Sequence, residues 1–146
     1  FQFMPSTILN YGIDYDNDGR IDLKRSMPDS IASAANYMNK IGWKYKNACF
    51  TQVNFNKEIN KKLFNHSARN IKNKKTDKFW NNLGIVDLKQ KKINMGEKSS
   101  LILPDGDKTS PKYLTTENYE KILKWNRSLR FALSVCTLKD MIKNEI

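Results

Sequence analysis

The sequence predicts an α+β fold that is mainly helical and includes a small, irregular β-sheet. Apolar residues with helical spacing occur near both ends of the chain, and short β-rich segments lie between them. The 146 residues are 39% hydrophobic and 11% aromatic, which is enough for one folded unit with a core. We therefore expect residues 1–146 to form a single domain. Because the chain starts at Phe1 without Met, we expect that domain to be partial.

Two helices are expected in the first third of the chain. The first covers residues 7–11 after Pro5 and ends at Gly12. The second begins after Ser26, a favourable N-cap residue, and ends at Gly42. The predicted buried face of this second helix consists of Ile31, Ala34, Ala35, Met38 and Ile41.

The middle of the chain mixes strand-like and helical segments, and the last third is helical. Residues 48–53 have strand composition, and residues 100–103 and 111–114 could pair through a turn at Asp105-Gly106. Phe55, Ile59 and Leu63, at four-residue spacing, predict a short helix. Cap residues and apolar spacing predict three more helices, at residues 76–84, at 116–124 with Thr116 as N-cap, and from 128 to the C-terminus.

The charge favours a polyanionic environment. Lys and Arg number 26 against 15 Asp and Glu, giving a net charge of +11 and an isoelectric point of about 9.7. A nucleic-acid groove is one interpretation, but the basic residues are scattered among Asn and no RNP, helix-turn-helix or zinc pattern accompanies them. A solvated basic surface is therefore the better interpretation, and we expect no nucleic-acid partner.

The two cysteines, Cys49 and Cys136, belong to no CxxC or Cys/His cluster. They could form one disulfide, but we expect two buried free thiols. The sequence contains no apolar run that approaches the roughly 18 residues needed to span a membrane.

Residues 14–22, DYDNDGRID, contain the alternating carboxylates that open an EF-hand-like loop. Asp14, Asp16 and Asp18 can converge because alternate positions of a tight loop face inward, and Gly19 permits the turn. The backbone carbonyl of Arg20 is the natural fourth ligand. An all-oxygen ligand set predicts a hard cation.

This loop does not end as an EF-hand does. Arg25 occupies the twelfth position, where a bidentate Glu is usual. The nearest suitable carboxylate beyond it is Asp29, so residues 14–29 are predicted to be a cation-binding loop. The alternative is a solvent-exposed turn in which Asp29 is only a helix-capping acid. Carboxylates at this density repel one another unless a cation compensates them, which favours the metal.

No catalytic residue is predicted from residue patterns alone. His66, the only histidine, has no Ser or Cys partner pattern and is interpreted as a chance loop residue. The glutamates lie in polar or basic stretches, whereas a general acid needs an apolar environment.

Three spaced motifs resemble those of the lytic murein transglycosylase B family. The first is QFMPST at residues 2–7. The second is the acidic loop followed by DSIASAANYM at 29–38 and GW at 42–43. The third is YEKILKWNRS at 119–128 with FALSV at 131–135. The match is ordered and spans nearly the whole chain, although residues 44–98 match loosely.

The resemblance implies a lysozyme-like fold and an enzyme that cuts the glycan strand of peptidoglycan. Members of this family cleave the MurNAc-GlcNAc β-1,4 bond without water, and the muramoyl 6-hydroxyl closes a 1,6-anhydro ring. One Glu acts first as acid and then as base, so a single carboxyl suffices where ordinary glycosidases use two. In the family this Glu lies upstream of the QFMPST motif. We therefore expect it before Phe1 and expect this chain to be inactive alone.

The resemblance also implies which side chains bind substrate. Asn126 matches a polar group near the catalytic carboxyl. Tyr37 matches an aromatic residue of the glycan cleft, and the alternative is that it only packs within its helix. Trp125 and Phe131 stand where the family usually has Tyr, and their rings can still stack on a pyranose face. The residues implied to bind the glycan are Gln2, Phe3, Tyr37, Trp125, Asn126 and Phe131.

The cation site, partners and location follow from the same resemblance. Its matching positions are Asp14, Asp16, Asp18, the carbonyl of Arg20, and Asp29, and the implied ion is structural calcium, with sodium as an alternative. Expected partners are peptidoglycan glycan strands and the N-terminal part of the same domain, in the periplasm or at the outer membrane of a bacterial cell envelope. A different class remains open, namely a non-catalytic calcium-dependent module that binds cell-wall glycan.

Overall fold

The structure, a computed structural model, describes residues 3–55, 57–107 and 109–145, except for the side chain of residue 144. The chain divides into two compact units, residues 1–45 and 46–146. The described residues contain five α-helices and a four-stranded antiparallel sheet, which confirms the prediction of a mainly helical α+β fold. No helix within the described ranges is both long and apolar enough to cross a membrane.

The first unit contains two helices, α1 (Pro5–Tyr11) and α2 (Met27–Lys40). Helix α1 ends as predicted at Gly12, where the backbone becomes extended. A Cβ atom there would lie 2.7 Å from the Ile8 carbonyl oxygen, so this position needs glycine. Helix α2 begins at the predicted cap, where the Ser26 side chain accepts a hydrogen bond from the backbone N–H of Asp29.

The predicted apolar face of α2 is buried only in part, because Ala34, Met38 and Ile41 are half-buried and Ala35 is exposed. Ile31 is 55% exposed, whereas the buried residues of α2 are Asp29, Ser30 and Ser33. The reason is that serine side chains on the polar side of the helix form hydrogen bonds with backbone groups of the preceding segment. Ser33 Oγ accepts from the backbone N–H of Ile13, and Ser30 Oγ donates to the Leu23 carbonyl. Buried hydrogen bonds to the loop therefore set the orientation of α2.

The second unit is built on the antiparallel sheet. Its strands are β1 (Phe50–Phe55), β2 (Ile85–Asp87), β3 (Ser100–Ile102) and β4 (Lys112–Thr115), in the spatial order β2-β1-β4-β3. The register places Leu114 of β4 opposite both Thr51 of β1 and Leu101 of β3. Strands β1, β3 and β4 lie where strand composition predicted them, whereas β2 was not predicted.

Helices α3 (Asp77–Asn82), α4 (Glu117–Trp125) and α5 (Leu129–Glu145) complete the second unit. Trp80 of α3 is fully buried, and its indole N–H donates to the Ser99 carbonyl at 3.2 Å. It packs in a cluster with aliphatic residues of the sheet and its loops. The fully or nearly buried members of this core are Val53, Ile59, Trp80, Ile85, Ile93, Leu101 and Leu114.

Two helix predictions need correction. The segment containing Ile59 and Leu63 forms only a short 3-10 turn, Lys61–Leu63, in which the Asn60 side chain accepts from the Lys62 N–H. Thr116 makes no capping hydrogen bond to α4. Its hydroxyl donates to the carbonyls of Ala48 and Cys49, so it links the start of α4 to the segment before β1.

The expectation of two free thiols is also wrong. Cys49 and Cys136 form a disulfide across a sequence separation of 87 residues. Both residues are fully buried, and their Cα atoms are 6.1 Å apart, within bridging distance. This proximity exists only in the folded unit, where α5 meets the residue before β1, so no local spacing could have indicated it.

Candidate functional site

The acidic loop of the first unit brings three predicted metal ligands together. One carboxylate oxygen from each of Asp14, Asp16 and Asp18 lies within 4.8 Å of the others. The loop closes because Asn17 and Gly19 adopt left-handed backbone conformations, with φ of 60° and 86°. The Gly19 N–H donates to Asp14 Oδ2 at 2.9 Å. Within the described residues, this is a convergent oxygen cluster on a tight turn.

One oxygen of the cluster has no hydrogen-bond partner. Asp14 Oδ1 is buried and unpaired within the described part of the chain. A buried carboxylate oxygen without a partner is costly. Such an oxygen is a suitable ligand for a hard cation, and two neighbouring carboxylates are placed to coordinate the same ion. The residues of the loop therefore fit the predicted cation.

The predicted ligand Asp29 lies outside the three-carboxylate cluster. It is 1% exposed, and its two oxygens accept the backbone N–H groups of Tyr15 at 2.8 Å and Asp22 at 3.0 Å. In this arrangement Asp29 holds both ends of the loop onto the first turn of α2. A ligand role for Asp29 and for the Arg20 carbonyl stays a prediction.

The pKa of Asp29 lies below its usual value, chiefly because of the backbone hydrogen bond from Asp22 and then that from Tyr15. A lowered pKa means that the folded state favours the ionised carboxylate. The stabilisation is complete above the unfolded-state pKa of about 4 and is lost as the pH falls through the lowered value. At neutral pH Asp29 is therefore ionised, which is the form that accepts the hydrogen bonds from Asp22 and Tyr15.

The loop and α2 are joined a second time through Ser26. Its hydroxyl donates to Asp16 Oδ2 at 2.8 Å and also accepts from the Asp29 N–H at 3.3 Å. One cap residue thus connects a cluster carboxylate to the helix start. Sequence reasoning identified Ser26 only as a cap.

An aromatic cluster occupies the same unit. Tyr37 of α2 makes edge-to-face contacts with Tyr11, at a centroid distance of 5.1 Å, and with Phe3, at 6.1 Å. Burial and then the neighbouring Tyr11 raise the pKa of Tyr37. The structure thus brings two predicted glycan-binding residues, Phe3 and Tyr37, into contact. Gln2 lies outside the described residues.

The remaining predicted residues lie at the junction of α4 and α5 in the second unit. Trp125 is the half-buried last residue of α4, and Asn126 caps that helix with an exposed side chain. Phe131, in the first turn of α5, is 37% exposed. Two of the predicted side chains at this junction, Asn126 and Phe131, are therefore at the surface.

Sequence reasoning missed the residue that holds this junction in place. Tyr119 of α4 is fully buried, and its hydroxyl donates to the carbonyl of Leu129 at 2.7 Å. Burial raises the pKa of Tyr119 well above its usual value, with a smaller contribution from Tyr113. The only sequence signal was its position within the YEKILKWNRS motif, which does not distinguish a buried positioning residue from a ligand-binding one.

Comparisons with known proteins agree with these features. The sequence profile described as "Transglycosylase SLT domain" matches residues 1–140. SltB3 from Pseudomonas aeruginosa, solved in complex with NAG-anhNAM-pentapeptide, is similar with a TM-score of 0.85 and 31% identity. This likeness covers 97% of the chain and 37% of SltB3. A comparison with curated proteins gave no significant match.

A second solved structure bears on the acidic loop. The lytic transglycosylase Slt35 of Escherichia coli, solved in complex with calcium, is similar with a TM-score of 0.74 and 25% identity. The likeness covers 99% of the chain and 43% of Slt35. The chain therefore spans less than half the length of either solved structure.

Proposed function

Since the chain belongs to the transglycosylase SLT domain family, we propose that it is part of a peptidoglycan lytic transglycosylase. Its reaction is cleavage of the MurNAc-GlcNAc β-1,4 bond with release of a 1,6-anhydro-muramoyl product. The observation that carries this proposal is the family match over residues 1–140. Support comes from a similar structure, SltB3, whose bound ligand contains the anhydro sugar.

The aromatic cluster supports glycan binding. Phe3 and Tyr37 lie edge to face within one unit, and aromatic rings offer apolar faces on which sugar rings pack. Tyr11 also lies edge to face with Tyr37, at a centroid distance of 5.1 Å. We assign Phe3 and Tyr37 to sugar stacking, Gln2 to hydrogen bonding with an acetamido or hydroxyl group, and Trp125 and Phe131 to further aromatic contacts.

The reaction needs one carboxyl group. In the proposed step, this acid protonates the glycosidic oxygen as the bond to C1 breaks. The same carboxylate then takes the proton of the muramoyl 6-hydroxyl as that oxygen bonds to C1. No water enters, which accounts for the anhydro ring. The acid is the Glu expected upstream of Phe1, and we assign Asn126 to hydrogen bonding beside it.

Calcium is the proposed cofactor, with sodium as the alternative, and its role is structural. Asp14, Asp16 and Asp18 are the strongest candidates because their oxygens converge and one is buried without a partner. The Arg20 carbonyl and Asp29 would complete the set. The ion would supply positive charge that compensates three neighbouring carboxylates. The resolved calcium complex of Slt35 supports this choice of ion.

The proposed location is the bacterial cell envelope, in the periplasm or at the outer membrane. Peptidoglycan, the proposed substrate, lies there. The Cys49–Cys136 disulfide supports this location, because disulfides form and persist in oxidising compartments such as the periplasm.

The test is digestion of purified peptidoglycan sacculi, with the muropeptides analysed by mass. The chain is compared with a version extended upstream to include the expected Glu. We expect 1,6-anhydro products, each one water lighter than a hydrolysis product, from the extended protein alone. Hydrolysis products would overturn the proposed chemistry, and glycan binding without any product would favour the non-catalytic binding module.

A further inference from the structure

The second unit contains a cationic groove beside the α4–α5 junction. Two cavities, of about 350 and 380 Å³, share Ala68, Arg69 and Arg127 in their linings and so adjoin one another. Lys124 lines the second cavity. We call the surface formed by Arg69, Lys124 and Arg127 the Arg groove. All three side chains are exposed.

The charges of the Arg groove are not neutralised by nearby acids. Glu120, the acid in the lining, pairs with Lys74 at 2.9 Å. Arg130, which lines the first cavity, is engaged by Asp105, with a distance of 2.7 Å between Nε and Oδ1. By contrast, Arg69, Lys124 and Arg127 form no ion pair with any residue that the structure describes. The groove therefore presents clustered positive charge to a ligand.

The lining indicates which anion fits. Leu123 is buried and Ile71 and Pro104 are half-buried, so apolar side chains line the same cavities as the cations. A guanidinium binds a carboxylate through two parallel hydrogen bonds. Nucleic acid normally adds base stacking on several aromatic rings. The lining contains no Phe, Tyr or Trp, and its one aromatic ring, His66, has Nδ1 3.3 Å from the Leu103 carbonyl oxygen. Carboxylates on short aliphatic chains, as in a peptide, suit the groove better than a polynucleotide does.

We propose that the Arg groove binds carboxylates of the peptides attached to the glycan strand, so that peptide-bearing glycan is preferred over glycan without free carboxylates. This inference rests on the proposed function, because it places the groove on the same substrate.

The test compares two forms of one ligand on the chain. NAG-NAM-pentapeptide is titrated calorimetrically with its carboxylates free and with them converted to carboxamides. We expect the free-acid form to bind about tenfold tighter, as charge-assisted contacts predict, and this preference to weaken as salt rises. Arg69→Gln with Arg127→Gln should abolish the preference.

A matched control separates the groove from general charge. Lys91→Gln with Lys92→Gln removes the same charge from a part of the second unit that lines neither cavity of the groove. These lysines are exposed like Arg69 and Arg127, so circular dichroism should report an intact fold for both double variants. We expect the control to keep the preference for free carboxylates. An equal loss in the control would show that only overall charge matters and would overturn the inference.

The remaining outcomes distinguish the two proposals. Equal binding of the acid and amide forms would overturn the Arg groove and leave the proposed function standing. The free pentapeptide could bind as tightly as the glycopeptide, in a manner that depends on Arg69 and Arg127. That result would support the peptide site in the Arg groove and would count against glycan recognition. Failure of the chain to bind either the glycopeptide or the free peptide would overturn the groove.

Discussion

The two units of the chain differ in what they bury: among the described residues, only the second buries apolar side chains, and it also buries polar ones such as Asn65 and Asn118. In the first unit, the buried residues that the structure describes are Asp29, Ser30 and Ser33, all polar. In the second, the buried set includes Trp80, Leu101 and the disulfide-linked cysteines. Hydrogen bonds between side chains and loop backbone organise the first unit, whereas apolar burial and a covalent link organise the second.

The difference follows from the groups that each unit has to stabilise. The acidic loop of the first unit keeps three carboxylates together. Its backbone N–H groups donate to Asp29 and Ser33, and apolar side chains could not provide these acceptors. The sheet presents few charges to its core, so burial of aliphatic and aromatic surface is sufficient. Substitutions that remove each kind of interaction should therefore lower the free energy of unfolding by different amounts and for different reasons.

The largest effect is expected in the apolar core. Trp80→Ala removes a fully buried indole and its hydrogen bond to Ser99. It should lower the free energy of unfolding of the second unit by about 3–5 kcal/mol. Urea denaturation followed by far-UV circular dichroism measures the change. Leu88→Ala, at a residue that is 54% exposed, is the control and should change little. A small loss for Trp80→Ala would mean that the core does not carry the stability of this unit.

The disulfide should rank second. Cys49→Ser with Cys136→Ser removes a link that closes a long loop in the unfolded chain, at a cost of about 2–4 kcal/mol. A reducing agent should shift the unfolding midpoint of the wild-type chain to the level of the variant and leave the variant unchanged. A midpoint unaffected by reduction would contradict the link, as would free thiols in a titration of the unreduced, denatured protein.

The third prediction tests whether calcium binding to the acidic loop stabilises the first unit. Calcium at a hundred times its dissociation constant should stabilise the loop by about 2.7 kcal/mol. Asp14→Asn should remove this gain, because Asp14 supplies the buried oxygen without a partner. Calorimetric melting with calcium and with a chelator measures the gain, and Asp140→Asn, on exposed α5 surface, should preserve it. An equal calcium response in Asp14→Asn would locate the ion elsewhere.

Most helices and strands could be predicted from the sequence because their signals are local. Ser26 before Pro28, and Gly12 after a short helix, mark boundaries that the structure confirms. The buried face of α2 could not be predicted in this way. Its polar side is buried because distant loop amides need acceptors, and an apolar periodicity contains no information about those amides.

The candidate site was predictable to a similar extent. The spacing of Asp14, Asp16 and Asp18 indicated their convergence, because the ligands of a tight loop come from alternate residues. The contact of Phe3 with Tyr37 depends on how α1 and α2 pack, and the hydrogen bond from Tyr119 to Leu129 depends on the turn between α4 and α5. Interactions of this kind need the tertiary structure, so only resemblance pointed to those segments.

The smallest expected effect tests a single polar contact of the first unit. Ser33→Ala removes the acceptor of the Ile13 N–H, a 2.9 Å hydrogen bond on the buried side of α2. Loss of one such bond should cost about 1 kcal/mol and speed hydrogen exchange of the Ile13 amide about fivefold. The matched control is Ser134→Ala, whose hydroxyl donates to Arg130 on an exposed helix surface and should change exchange little. Unchanged exchange at Ile13 in Ser33→Ala would show that water replaces the serine, and polar burial would then contribute less to the first unit than its hydrogen bonds indicate.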